Sequence, residues 1–289
     1  MKTLSVVIPV FNEEKAIADT LSFFSDFLNE HPEAEVIFVD DGSRDGTGQI
    51  LADRLDPRMR LISHPKNRGY GAALKSGIKA ASSDVVAMTD ADGSYPNEKI
   101  SAFFLLLLKE KADMVVGARQ GKIAKLGFFR RCAKRVLRRL AEYLSESQIP
   151  DLNSGLRLVR KDVLLRSLRF LPEGFSFTTT LTLFLLANDC RILYSPIDYF
   201  KRTGKSKIRP FRDTMNFLQL IVRTVMFFKP LKVFLPLSLF FIFLSVAVLV
   251  LSTMLGRVMD ITTILLFVTG LQILALGLLA DLIDKRMNR

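Results

Sequence analysis

Apolar and polar positions divide the chain into two regimes: short apolar runs alternating with amphipathic stretches through residue 120, and long, nearly unbroken apolar runs after residue 230. In the first regime Leu4–Val10, Glu35–Val39, Met59–Ile62, Val85–Thr89 and Met114–Val116 are rich in Val and Ile and bounded by turn residues, a pattern that predicts strands. The intervening segments, Glu13–Asn29, Thr47–Leu55, Gly71–Ala80 and Asn97–Lys109, have helical spacing. A β-α-β-α order predicts an α/β domain with a doubly wound, mostly parallel sheet covered by helices on both faces. Such sheets bind ligands outside the carboxyl ends of their strands.

The second regime holds two apolar runs, Leu231 to Leu255 and Ile261 to Ala280, separated by Gly256-Arg257-Val258-Met259-Asp260. Each is long enough to cross a bilayer as a helix and neither has a polar face. So short a link makes them a hairpin with both ends on one side. They also explain how 49% hydrophobic residues coexist with 24% charged ones. Residues 201–232 carry nine Lys or Arg against one acid, Asp213, and Lys285, Arg286 and Arg289 follow the second run, whereas the link has one Arg. The positive-inside rule therefore predicts that the N-terminal domain and both termini face the cytoplasm.

The apolar run at the N-terminus is interrupted by Pro9 and followed at once by Asn12-Glu13-Glu14, which does not fit a signal peptide. Cys132 and Cys190 lack metal-ligand spacing, as expected in a reducing compartment. A net charge of +12 fits a polyanionic partner. Without a nucleic-acid motif, and with two spans, the expected partner is an anionic lipid bilayer rather than nucleic acid.

Acidic residues cluster where the strands are expected to end. Asp90-Ala91-Asp92 follows the fourth strand, and two carboxylates one residue apart can face Mg²⁺ or Mn²⁺ together. Asp40-Asp41-Gly42-Ser43 follows the second strand and suits the donor groups of a base or ribose. After the first strand, Phe11 and Glu13 could meet a base, while Asn12 is expected to cap the next helix and Glu14 to favour its positive end. Asn67-Arg68-Gly69-Tyr70-Gly71-Ala72-Ala73 is a Gly-rich turn with some capacity for phosphate, although it lacks the P-loop lysine.

The ordered set VIPVFNEE, VDDGS, NRGYGAA, DADG, GAR, DLNSGLR (Asp151–Arg157) and KRTGKSK (Lys201–Lys207) resembles the family-2, GT-A-fold glycosyltransferases, and within them the dolichol-phosphate-mannose synthase and polyprenyl-phosphate glycosyltransferase branch. It departs at Phe11, where the family often has Tyr, and at Gly93-Ser94-Tyr95, where mannose-type members have Leu-Gln. The resemblance implies residues 1–200 as a GT-A (Rossmann-like) catalytic domain that includes a basic amphipathic segment at 118–145. A basic juxtamembrane segment at 201–230, a transmembrane hairpin at 231–283 and a tail at 284–289 then follow. It implies that Pro9, Phe11, Glu13, Asp40, Asp41, Asp90, Ala91, Asp92, Arg119, Arg202 and Lys207 bind a nucleotide-sugar donor, with Asp90 and Asp92 on the metal. It further implies Asp92, Asp151 and Arg202 as catalytic residues, and Arg119, Ser154 and Arg157 as contacts to a polyprenyl-phosphate acceptor, to which the basic amphipathic pattern adds Arg131. Homo-oligomerisation stays open.

The resemblance implies an inverting transfer. A phosphate monoester has its second pKa near 6, so at pH 7 about nine-tenths of the acceptor is already a dianion and needs no base. Neither His31 nor His64 lies near the acidic cluster in sequence. A processive polysaccharide synthase is disfavoured, because the chain has no Trp for the Gln-x-x-Arg-Trp motif. Two further functions compatible with the sequence are a membrane-tethered sugar-nucleotide or lipid-binding module without turnover, and a glycosyltransferase acting on another lipid. Phe129, Cys132, Val136, Leu140 and Leu144 form an apolar stripe between six basic residues, which predicts that residues 128–144 make an in-plane membrane helix.

Overall fold

The computed structural model describes residues 4–120, 139, 142–143, 146–200, 230–256 and 260–287. Its sheet is built from β1 (Leu4–Val10), β2 (Glu35–Asp40), β3 (Met59–Ser63), β4 (Val85–Met88), β5 (Met114–Arg119), β6 (Arg157–Arg160) and β7 (Ile192–Ile197), in the order β3-β2-β1-β4-β6-β5-β7. β1 pairs in parallel with both β2 and β4, β2 with β3, and β5 with β7, whereas β6 runs antiparallel to β4 and β5. The five expected strands are present. β6 and β7 are additions that the hydrophobic pattern does not predict: β6 is four residues bounded by arginines, and β7 contains Pro196, which its place at the sheet edge tolerates.

All seven residues of β1 are buried, because helices cover both faces of the sheet. Alternation along the strand sends Val6, Ile8 and Val10 to the core beneath α1 (Ile17–Glu30), α2 (Thr47–Arg54) and α4 (Lys99–Lys109). Val7 points to the opposite core, with α3 (Tyr70–Ala80), α5 (Lys161–Ser167) and α6 (Phe177–Ala187). The chain winds outward from β1 to β3 and then returns to β4. The order therefore reverses between β1 and β4, and a crevice opens at their carboxyl ends.

The first helix corrects one expectation. α1 begins at Ile17, after Ala16, with no side-chain cap. Asn12 sits at φ 51° and is used elsewhere: its Oδ1 accepts the Arg44 N–H (2.7 Å), and its own N–H donates to Ser43 Oγ (2.9 Å). It ties the loop after β1 to the loop after β2.

Two long helices follow, α7 (Leu231–Met254) and α8 (Asp260–Met287). Within them Leu231–Met254 and Ile261–Ile283 are long and apolar enough to cross a membrane, and most of their large apolar side chains are exposed. They form a hairpin in which Ser238 Oγ donates to the Gly270 carbonyl and Ser245 Oγ to that of Thr263, each at 2.9 Å. Hydroxyls bonded across the seam satisfy polar groups that hydrocarbon would leave unpaired.

Candidate active site

Three loops converge on the crevice. The loop after β4 carries Asp90 and Asp92. Asp92 is buried, and its Oδ1 accepts the backbone N–H of Ser94 (3.0 Å) and the Ser94 hydroxyl (2.5 Å). Asp90 is half-buried and its Oδ1 accepts the Tyr70 hydroxyl at 3.0 Å. Burial, and then the charge of Asp90, push the Tyr70 phenol well above its ordinary pKa, so it stays a donor. Gly155 closes the other side, where a β-carbon would lie 3.0 Å from Asp90 Oδ2, so any larger residue would crowd the carboxylate. The Gly155 N–H donates to Tyr95 Oη at 2.7 Å.

The loop after β2 uses its two acids differently. Asp40 Oδ1 accepts the Ser43 N–H (3.0 Å) and hydroxyl (2.6 Å). Asp41 is buried and accepts from the backbone N–H groups of Arg68 (3.0 Å) and Gly69 (2.7 Å), while its Oδ1 lies 2.7 Å from His64 Nδ1. Asp41 thus organises the Gly-rich turn, and His64, remote in sequence, joins the network. The Ala72 N–H donates to the Glu173 carbonyl at 3.0 Å. The phosphate capacity read from this turn is therefore spent within the protein at Arg68, Gly69 and Ala72. Gly69, at φ 110°, passes so close to the Glu173 carbonyl that a β-carbon would lie 2.6 Å from its oxygen. Above the turn, Phe175 is 78% exposed and stacks on Tyr70, with centroids 5.9 Å apart.

The third loop, residues 151–156, joins the crevice to β6. Arg119, at the end of β5, holds Asp151 through Nε–H to Oδ2 (2.7 Å) and Nη2–H to Oδ1 (2.9 Å). Burial opposes the Asp151 charge, but the Arg119 guanidinium outweighs it and keeps the carboxyl below its usual range. Arg119 also lies over the Tyr199 ring, 5.2 Å from its centroid. Arg157 is 0% exposed and braces the loop from beneath, donating to the carbonyls of Ser154 (2.6 Å) and Leu152 (2.8 Å) and to the Thr182 hydroxyl. Ser154 is buried, and its hydroxyl has no protein partner among the described residues. Asn153 bonds the Thr179 hydroxyl. Thr179 and Thr182, on α6, escape sequence reasoning, because a helix of threonines and leucines carries no recognisable chemical signature.

Residues 5–167 match Glycosyl transferase family 2, and residues 229–285 match the GtrB C-terminal hairpin. The chain belongs to glycosyl transferase family 2. A dolichyl-phosphate hexose transferase of Haloferax volcanii is 31% identical over 72% of this chain and 87% of its own length. The bactoprenol glucosyl transferase of Shigella phage SfV is 31% identical over 59% of this chain and 55% of its own. The low-salt glycan biosynthesis hexosyltransferase Agl6 of Haloferax volcanii is 26% identical over 73% of this chain, and the match spans only 51% of that protein. In fold, the family 2 domain resembles glucosyl-3-phosphoglycerate synthase from Mycobacterium tuberculosis, with TM-score 0.59, 21% identity, and coverage of 78% of this chain and 79% of the other. That structure holds Mn²⁺, UDP-glucose and phosphoglyceric acid.

The donor chemistry of this family 2 site fits a divalent ion. Each carboxylate offers about four lone-pair positions. The bonds from Tyr70 and Ser94 orient Asp90 and Asp92. Among the described residues no three His, Cys, Asp or Glu converge on one point, so such an ion would draw further oxygens from substrate and water. Pro9, Phe11, Glu13 and Ala91 lie at the crevice mouth, on or just after β1 and between the two aspartates. Glu13 is buried, and its N–H donates to Thr47 Oγ1 at 2.9 Å. Arg131, Arg202 and Lys207, with most of the basic 128–144 segment, lie outside the described residues.

Proposed function

We propose that the protein transfers a hexose, with inversion, from a nucleotide-sugar to a polyprenyl phosphate at the cytoplasmic face of a membrane. The observation that carries this reading is the union, in one chain, of a carboxylate-lined crevice at a sheet switch point and a hairpin of two membrane-length helices. A soluble acceptor would not call for the hairpin. The names of the dolichyl-phosphate and bactoprenol relatives support the same acceptor class.

In this reading Asp40, with Phe11 and Glu13 beside it, receives the nucleoside, and Asp41 acts through the Gly-rich turn that it holds. Asp90 and Asp92 would hold Mg²⁺ or Mn²⁺, which when bound supplies Lewis-acid stabilisation of the departing nucleoside diphosphate. Tyr70 and Gly155 keep Asp90 in place. The loop 151–156, braced by Arg119 and Arg157, forms the acceptor side of the crevice. The acceptor's own charge makes it the nucleophile, so the protein's task is alignment and exclusion of water. The positive-inside pattern supports a cytoplasmic catalytic domain.

The test is incubation of the purified protein with radiolabelled UDP- or GDP-hexoses, polyprenyl phosphate and Mn²⁺, followed by organic extraction. Label in the lipid phase that is released by mild acid supports the reading. Label that stays in water with every donor refutes it.

A further inference from the structure

We propose that the chain pairs with a second copy of itself through the outer face of α8, and that Gln272 sets the register of that contact. Hydroxyls of the hairpin find their partners within it. Ser238 and Ser245 donate across the seam to carbonyls of α8, and Ser252, Thr253 and Thr269 donate to carbonyls of their own helices. Gln272 differs. Its side chain is exposed, and among the described residues no hydrogen bond reaches its amide. It stands eleven residues from each end of the span Ile261–Ile283, about 16 Å along the helix from either. The hydrocarbon of a bilayer is about 30 Å thick, so in a crossing helix this amide lies at the midplane, beyond reach of water or headgroups. A polar side chain at that depth is costly unless protein supplies its partner.

Its own hairpin does not supply one. α8 meets α7 through Thr263, Gly270 and Gly277, spaced seven apart. The Thr263 carbonyl accepts from Ser245, a β-carbon at Gly270 would lie 2.7 Å from Ile242 Cγ1, and one at Gly277 would lie 2.5 Å from Phe234 Cβ. Gln272 stands two residues beyond Gly270, about 200° round the helix, and so faces away from α7.

The face that carries it is patterned. Leu265, Thr269, Gln272, Leu276, Leu279 and Ile283 follow one another at intervals of four and three, the spacing of a coiled-coil seam, and all but the half-buried Thr269 are exposed. One polar residue in such a seam fixes register and the number of helices. The chemistry favours a second copy over a different protein. Copies inserted in the same orientation and related by a two-fold axis along the membrane normal bring Gln272 against Gln272 at one depth. A carboxamide carries both donor and acceptor, so the two can exchange a pair of N–H···O bonds.

The experiment uses the full chain in liposomes, in a Cys132→Ser, Cys190→Ser background, with single cysteines placed by Leu265→Cys or Leu276→Cys on the seam and by Leu271→Cys or Leu278→Cys on the flank. Oxidation with copper phenanthroline should give disulfide-linked dimers from the two seam positions and not from the flank. Self-association, read by energy transfer between labelled copies at graded protein-to-lipid ratios, should weaken about threefold to tenfold in Gln272→Leu, the range for polar contacts between membrane helices. Gln272→Asn, which keeps the amide, should restore it. A chain monomeric at every ratio, equal cross-linking from seam and flank, or association indifferent to Gln272→Leu overturns the proposal. So does cross-linking of the seam cysteines, in native membranes, to a different protein and not to a second copy.

Discussion

Arg119 grips Asp151 with two parallel hydrogen bonds, of 2.7 and 2.9 Å, where the end of β5 meets the start of the loop 151–156. A carboxylate held this way is a poor base: its lone pairs face a guanidinium, and its pKa is held below the ordinary range. The pair positions the loop, and in the proposed reaction proton removal would fall to the acceptor's own ionisation.

Asp151→Asn should therefore lower the rate of lipid glycosylation without moving the acid limb of the pH–rate profile, which should stay near the second phosphate pKa of about 6. The check is kcat/KM from pH 5 to 8 in both proteins. An acid limb that shifts or disappears with the substitution would make Asp151 the base.

The same pair sets a dependence of stability on acid. Because the folded-state pKa of Asp151 is depressed, its contribution is complete above the ordinary carboxylate range and is lost as pH falls through the folded value. Breaking a buried ion pair from one side costs on the order of 3 kcal/mol. Thermal unfolding of the detergent-solubilised protein should show Asp151→Asn well below wild type at pH 7, with the gap narrowing below about pH 4. A constant gap across that range would remove the pair from the account of stability.

Asp92→Asn should preserve the fold, since Ser94 can still donate to the amide oxygen, while activity falls by about two orders of magnitude or more. The loss should be greatest at limiting Mn²⁺. Near-normal turnover under that condition would free Asp92 from the metal role.

For topology, a cysteine placed at Met259, in the link between the two apolar runs, should react with an impermeant thiol reagent added outside intact cells. One placed at Asn288 should react only after permeabilisation. The opposite pattern would invert the orientation.

The basic segment 128–144 yields a separate expectation. Changing Arg131, Arg135 and Arg138 to Glu should raise the apparent KM for a long-chain acceptor and leave turnover of a short, water-soluble acceptor little changed, since each basic residue at an anionic surface is worth about 1 kcal/mol. Equal losses with both acceptors would place the three arginines in catalysis or folding.

Much of this is legible in the linear chain, because the determining interactions are local or compositional. Periodicity marks β1 to β5 and the first four helices, apolar length marks the hairpin, and the strand-end carboxylates Asp40, Asp90 and Asp92 mark the crevice. What the tertiary structure decides is the partner of each polar group. Asn12 has the look of a helix cap, but it bonds across to Arg44 on a neighbouring loop. Asp41 stands beside Asp40 in an acidic pair, but only the fold brings it His64 and the Gly-rich turn. β6 is invisible as a strand because four residues flanked by arginines have no period to read, and it forms only because β4 and β5 offer it open edges. Arg157, which the resemblance implies as an acceptor contact, is a fully buried brace in the fold, where two loop carbonyls and Thr182, distant in sequence, take its donors. Secondary structure follows from near neighbours along the chain, whereas the role of a polar side chain depends on which remote donor or acceptor the packing delivers to it.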